Sequence, residues 1–149
     1  MRTLPSPRRE LAMERLTVLY DSKCALCIRC HDFLAVSRTL VPLELLSCHS
    51  REARERYGTV PWLGEELVVV SDEGDVWVGA AAFLVSMWAL ADYREWSYRL
   101  SGPAFAPLAE RFFVAFSSRR RSIASFLGKP RCEDGDACSL DHAPRHAYR

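Results

Sequence analysis

The chain has 149 residues, is 49% hydrophobic and 26% charged, and carries a formal net charge of +1. That apolar content suits one domain with a sizeable core. The balanced charge supplies no field to attract nucleic acid or anionic lipid, and the longest apolar stretch, 80–91, is too short to span a bilayer, so neither nucleic acid nor membrane is an expected partner.

Met1–Glu14 contains prolines and arginines but no apolar stretch of the signal-peptide kind, and is expected as a disordered N-terminal extension over 1–14. Leu16–Tyr20 alternates as a β-rich, mostly apolar run and predicts a buried strand. Asp21-Ser22-Lys23 breaks it with turn and capping residues. From Ala25 to Arg38 the pattern is helical, with Leu26, Phe33, Leu34 and Val36 available for a buried side. A strand over Pro42–Leu46 follows, with Cys48 just beyond it read as core, then a short helix over Ser50–Tyr57 and a loop to Glu66 holding Gly58, Pro61 and Gly64. Leu67–Ser71 and Asp75–Val78 predict a hairpin around Asp72-Glu73-Gly74. A helix is expected over Ala80–Ala91, and Trp88, Tyr93, Trp96 and Tyr98 read as core and edge packing. Two further helices, Pro103–Phe116 and Ser122–Leu127, are expected on either side of Arg119-Arg120-Arg121, a basic run read as a solvated face. Residues 15–128 thus form the expected domain, and 129–149 a flexible tail that contains cysteine and histidine.

The chemistry concentrates where the first strand meets the first helix. Cys24-Ala25-Leu26-Cys27 is a C-x-x-C at a helix start. Unpaired N–H groups and the positive end of the helix dipole favour a thiolate there, and such a cysteine can titrate at roughly 3.5–7.5. Cys24, at the cap, is the candidate nucleophile, and Cys27, one turn on, the candidate resolving thiol. Lys23 adds positive charge beside Cys24. Asp21 would raise the thiol if it pointed at the sulfur, or could accept backbone N–H groups in the loop, or relay a proton to or from Cys27.

Other readings compete. A structural zinc site normally takes four ligands from two cysteine pairs. Cys27-Ile28-Arg29-Cys30-His31 spells the C-x-x-C-H of c-type haem attachment. The pair could also be buried and inert. At about 100° per residue His31 falls within ~40° of Cys27 and could tune the thiols, although a packed histidine is the plainer reading; Cys30 reads as a small buried hydrophobe. In the tail, Cys132, Cys138, His142 and His146 supply zinc-type ligands, but the cysteine spacing exceeds that of zinc fingers, and the two cysteines could instead form a disulfide or electron-relay pair. The six cysteines cluster at 24, 27 and 30 and at 132 and 138, with no leader, which favours a reduced, cytoplasmic compartment over a secreted disulfide scaffold.

Tyr20-Asp21-Ser22-Lys23-Cys24-Ala25-Leu26-Cys27 resembles the D-x-x-C-x-x-C signature of the DCC family of thiol-disulfide oxidoreductases, and the likeness runs on through Val41–Leu46, Ser50-Arg51-Glu52-Ala53, Leu67–Val76 and Gly79-Ala80-Ala81-Ala82. The resemblance implies an α/β, thioredoxin-like fold, a central mixed sheet flanked by helices, with extra C-terminal helices and the flexible tail. It also implies a redox pair at Cys24 and Cys27, with Asp21 as the family's aspartate. Two departures stand out: Ser22 replaces the glycine common after that aspartate, and no proline occupies Gly64-Glu65-Glu66-Leu67, where thioredoxins carry a cis-proline. The expected activity is thiol-disulfide exchange of the protein-disulfide reductase type, without cofactor or assigned metal ligand. The expected partners are a disulfide-containing protein or small-molecule thiol substrate and an unidentified reductant. The alternatives are a non-catalytic binding or redox-sensing module of the same fold, or a zinc protein using the cysteine clusters.

Overall fold

A computed structural model describes residues 4–5, 13–60 and 63–126. Leu16–Tyr20 forms β1, Leu43–Ser47 β2, Val68–Ser71 β3 and Val76–Val78 β4; the described helices are Ala25–Val36 (α1), Arg51–Tyr57 (α2), Ala80–Ala89 (α3), Arg94–Ser101 (α4) and Ala106–Phe126 (α5). The sheet order is β2-β1-β3-β4. β1 runs parallel to β2, with Tyr20 opposite Ser47, and antiparallel to β3, which pairs antiparallel with β4. This mixed four-stranded sheet with helices on its faces is the thioredoxin-like α/β arrangement that the resemblance implies.

All five residues of β1 are buried, as a strand covered on both faces requires. On one face Leu16, Val18, Val69 and Trp77 pack with Val85, Trp88 and Ala89 of α3; on the other Leu19, Leu46, Val68 and Val70 pack against Ala53 of α2. Met13 belongs to the first cluster and Leu4 packs against it, so two residues of the segment expected as a disordered extension contribute to the core. Residues 1–3 and 6–12 of that segment and the tail from 127 onward, with Cys132, Cys138, His142 and His146, lie outside the described residues.

Gly79 opens α3 at φ 64, a left-handed conformation that side chains disfavour, and an added Cβ there would also come within 3.4 Å of the Phe113 ring. That close approach seats α5 against the start of α3. The two C-terminal helices expected on either side of Arg119-Arg120-Arg121 are one continuous helix, α5. Arginine is a good helix former and no glycine or proline falls between them, so the basic run offers no reason to break. Pro107 is tolerated because it sits in the first turn, where its missing N–H has no helical partner. α4 was not expected at all; it places Tyr98 to accept the indole N–H of Trp88 at 3.0 Å and Arg94 over the Trp88 ring at 4.5 Å. Trp88 is core, whereas Tyr93, Trp96 and Tyr98 keep substantial exposure at the edge.

Candidate active site

β1 ends at Tyr20, and the chain turns through Asp21–Lys23 into α1 with Cys24 as its extended N-cap residue. The turn is held by its own aspartate: Asp21 Oδ1 accepts the Lys23 backbone N–H at 2.9 Å, and the Asp21 carbonyl accepts the Cys24 N–H at 3.2 Å. Of the three sequence options for this carboxylate, the contact with a backbone N–H is therefore formed. Lys23 is exposed and meets the turn through its backbone N–H. Ser22 is buried, and its Oγ accepts a hydrogen bond from Ser47 Oγ at 2.8 Å, a link between the β1 and β2 ends that a glycine there could not make.

Cys24 and Cys27 are both half-buried and reduced, and their thiols are in hydrogen-bond contact. Cys24 is lowered from its ordinary value to about 6. The largest cause is the hydrogen bond it receives from the Cys27 thiol; the backbone N–H groups of Cys27 and Leu26 add to it, while burial and the negative charge of Asp21 oppose it. Cys27 is pushed up by the same bond, then by burial, by the charge on Cys24 and by Asp21, against a smaller opposing hydrogen bond from the Asp21 backbone N–H. The two sulfurs are thus polarised in opposite directions.

His49 is a site neighbour that sequence reasoning missed. Its Nε2 lies 2.9 Å from Asp21 Oδ1, and its backbone N–H donates to Ser47 Oγ at 3.3 Å. Because Tyr20 pairs with Ser47 across parallel strands, the residues that follow each strand, Asp21 and Cys48-His49, emerge side by side. The signal was present in the sequence: two adjacent parallel strands deliver their C-terminal ends to one edge. Asp21, Cys48 and His49 offer three ligand atoms within 4.8 Å of one another, the donor set among the described residues that could hold a metal ion. In the structure Asp21 Oδ1 and His49 Nε2 bond to each other directly.

α1 turns two faces inward. Ala25, Ile28 and His31 are its buried residues, whereas Val36 is 85% exposed and Phe33 47% exposed. The stripe of Leu26, Cys27, Cys30 and Leu34, at helical spacing, instead walls a partly enclosed cavity of about 200 Å³ beside the thiol pair. Cys30 is consequently exposed, contrary to the buried-hydrophobe reading, because it points away from the Ala25–Ile28 side; its thiol is still pushed up, first by desolvation and then by the Cys24 charge. His31 takes the packed role: buried, 4.7 Å from the Tyr20 ring, with Nδ1 3.2 Å from Asp32 Oδ1. Cys48 is buried and also borders the cavity. Among the described residues no peptide bond is cis, and no helix is long and apolar enough to cross a membrane.

No curated protein and no solved structure gives a significant match to the chain. A family model does: the one described as DCC1-like thiol-disulfide oxidoreductase matches residues 18–126, from within β1 through the C-x-x-C and the other three strands to the end of α5. The chain belongs to the DCC1-like thiol-disulfide oxidoreductase family.

Proposed function

We propose that the chain is a two-cysteine reductase of disulfides. The observation that carries this reading is the opposed polarisation of the pair: Cys24 is lowered to about 6 and Cys27 is held protonated beside it. At neutral pH Cys24 is a thiolate and attacks a disulfide R–S–S–R′, forming Cys24–S–S–R and releasing R′S⁻. Loss of the Cys24 charge then removes one of the influences that hold Cys27 up. Cys27 gives up its proton and attacks Cys24, closing the Cys24–Cys27 disulfide and expelling RS⁻. The two leaving thiolates take up two protons, so the substrate gains two electrons and two protons in all. A thiol reductant in a reducing, cytoplasmic compartment regenerates the pair.

Asp21 has two roles in this scheme. It caps the turn, and its carboxylate, tied to His49 and close enough for its charge to raise Cys27, is the acceptor assigned to the Cys27 proton. Its charge disfavours both thiolates, so its contribution to rate comes from moving a proton rather than from stabilising sulfur. The experiment is trapping. Cys27→Ser, incubated with a model disulfide, accumulates a mixed disulfide at Cys24 that peptide mapping locates. Turnover by this variant at the parent rate, or trapping at Cys30, overturns the assignment.

A further inference from the structure

The cavity beside the thiols is unexplained by exchange chemistry, which needs only the two sulfurs. Its walls are apolar: Leu26 and Leu34 of α1, Phe83 and Met87 of α3 with Leu90 at its C-cap, and Phe113 of α5. Two of its polar neighbours are already engaged. Ser86 Oγ donates to the Ala82 carbonyl at 2.8 Å, and His31 Nδ1 is held by Asp32. The remaining charged neighbours, Asp21 and Glu66, are both acidic, and among the described residues no lysine or arginine lines the cavity. Such a space is costly for a carboxylate or other anion to enter and favourable for an uncharged apolar group.

Size narrows the class. A dry apolar cavity of about 150 Å³ accepts benzene, whereas drug-sized ligands need about 300 Å³ or more. At about 200 Å³ the cavity takes a single aromatic ring or a branched aliphatic group. Position supplies the rest. Cys27 and Cys30 border the space and Cys24 does not, so the half of a substrate bonded to Cys24 must pass over Cys27 to reach it.

We propose that this cavity selects the substrate by taking the apolar side chain that adjoins the disulfide attacked by Cys24. The inference rests on the two-cysteine reading above. The preferred substrate is a disulfide whose half-cystine stands beside phenylalanine or leucine, in a peptide or protein. During the reaction the apolar group stays seated through attack, mixed-disulfide formation and closure of Cys24–Cys27, and leaves with the departing thiol RSH. The electron and proton balance is that given for the exchange itself.

The test compares two symmetrical disulfides, those of N-acetyl-cysteinyl-phenylalanine amide and N-acetyl-cysteinyl-asparagine amide. The reduced full-length chain is mixed with each, quenched in acid, and the Cys24–Cys27 disulfide is counted by mass spectrometry. The phenylalanine compound is expected to react about tenfold faster or more, the ratio that burial of much of an aromatic side chain supports. Met87→Trp, which fills the space, is expected to bring the ratio to within about twofold. Independently of any redox step, fluorobenzene is expected to broaden in fluorine NMR with the full-length Cys24→Ser/Cys27→Ser variant. Equal rates for the two disulfides together with no fluorobenzene binding overturn the inference and leave the exchange reading standing. A preference that survives Met87→Trp removes the cavity as its source. If fluorobenzene binds but neither disulfide oxidises the chain, the exchange reading fails and the substrate role falls with it.

Discussion

Replacing Cys27 by alanine removes the largest influence on Cys24, the thiol hydrogen bond, and leaves the backbone N–H groups of Leu26 and residue 27 in place. A hydrogen bond to a charged acceptor contributes about 1.5–3 kcal/mol, equivalent to roughly 1–2 pK units. Cys24, lowered to about 6 in the parent, should therefore titrate at about 7–8 in Cys27→Ala. At pH 6 its thiolate fraction falls from about half to between ~1 and ~10%. Alkylation by iodoacetamide at that pH, followed by peptide mapping to separate Cys24 from Cys30 and Cys48, should slow by about 5- to 50-fold. Near pH 9 parent and variant should converge, since Cys24 is largely ionised in both. Cys27→Ser keeps a hydroxyl donor in place and should hold the midpoint closer to the parent. A Cys27→Ala midpoint that stays near 6 would refute the reasoning, because the helix N–H groups alone would then account for the thiolate.

Asp21→Asn removes a charge that disfavours both thiolates, so the Cys24 alkylation midpoint should move below its parental value while disulfide-reduction rate falls. A stability loss in urea matching the activity loss, rather than about 1 kcal/mol, would reduce Asp21 to its turn contact. Ser22→Gly leaves the Ser47 hydroxyl, in a residue only 2% exposed, without its acceptor, and should cost about 1 kcal/mol in urea with no change in the Cys24 midpoint. The reduced chain should also show a pH-dependent stability that Cys24→Ser lacks. A thiol lowered in the folded state stabilises most above its unfolded value and loses that contribution as pH falls towards about 6, so urea midpoints should rise between pH 6 and pH 8. Cys27, held up, stays neutral across that window and does not oppose the rise. Trp88→Phe deletes the indole N–H that Tyr98 accepts, and should cost about 1–2 kcal/mol in urea without shifting either thiol.

Local signals made the front half of the chain legible. Leu16–Tyr20 is β1 to the residue, because its apolar alternation ends at an Asp-Ser-Lys turn, and α1 starts at Ala25 as the C-x-x-C placement requires. Periodicity misled on α1, where it marked Phe33 and Val36 for burial; the helix instead divides its apolar surface between the core and a cavity wall. The break expected at Arg119-Arg120-Arg121 does not occur, since a charge run ends a helix only when a breaker accompanies it. α4 escaped notice because its aromatic and charged residues lack a clean apolar stripe, and its stability comes from contacts to Trp88. Cys24 and Cys27 were readable as a motif. His49 was legible only through the pairing of β1 with β2, because it reaches Asp21 across 28 positions rather than through spacing along one element.

Equilibration of the full-length chain in glutathione buffers of graded potential tests the central claim most directly. The two-cysteine account predicts one reversible two-electron transition, mapped to a Cys24–Cys27 disulfide, at a potential within the roughly −120 to −270 mV span of known exchange catalysts. A chain in which Cys24 and Cys27 form no disulfide at any potential, or in which the transition maps to a bond with Cys30 or Cys48, contradicts it.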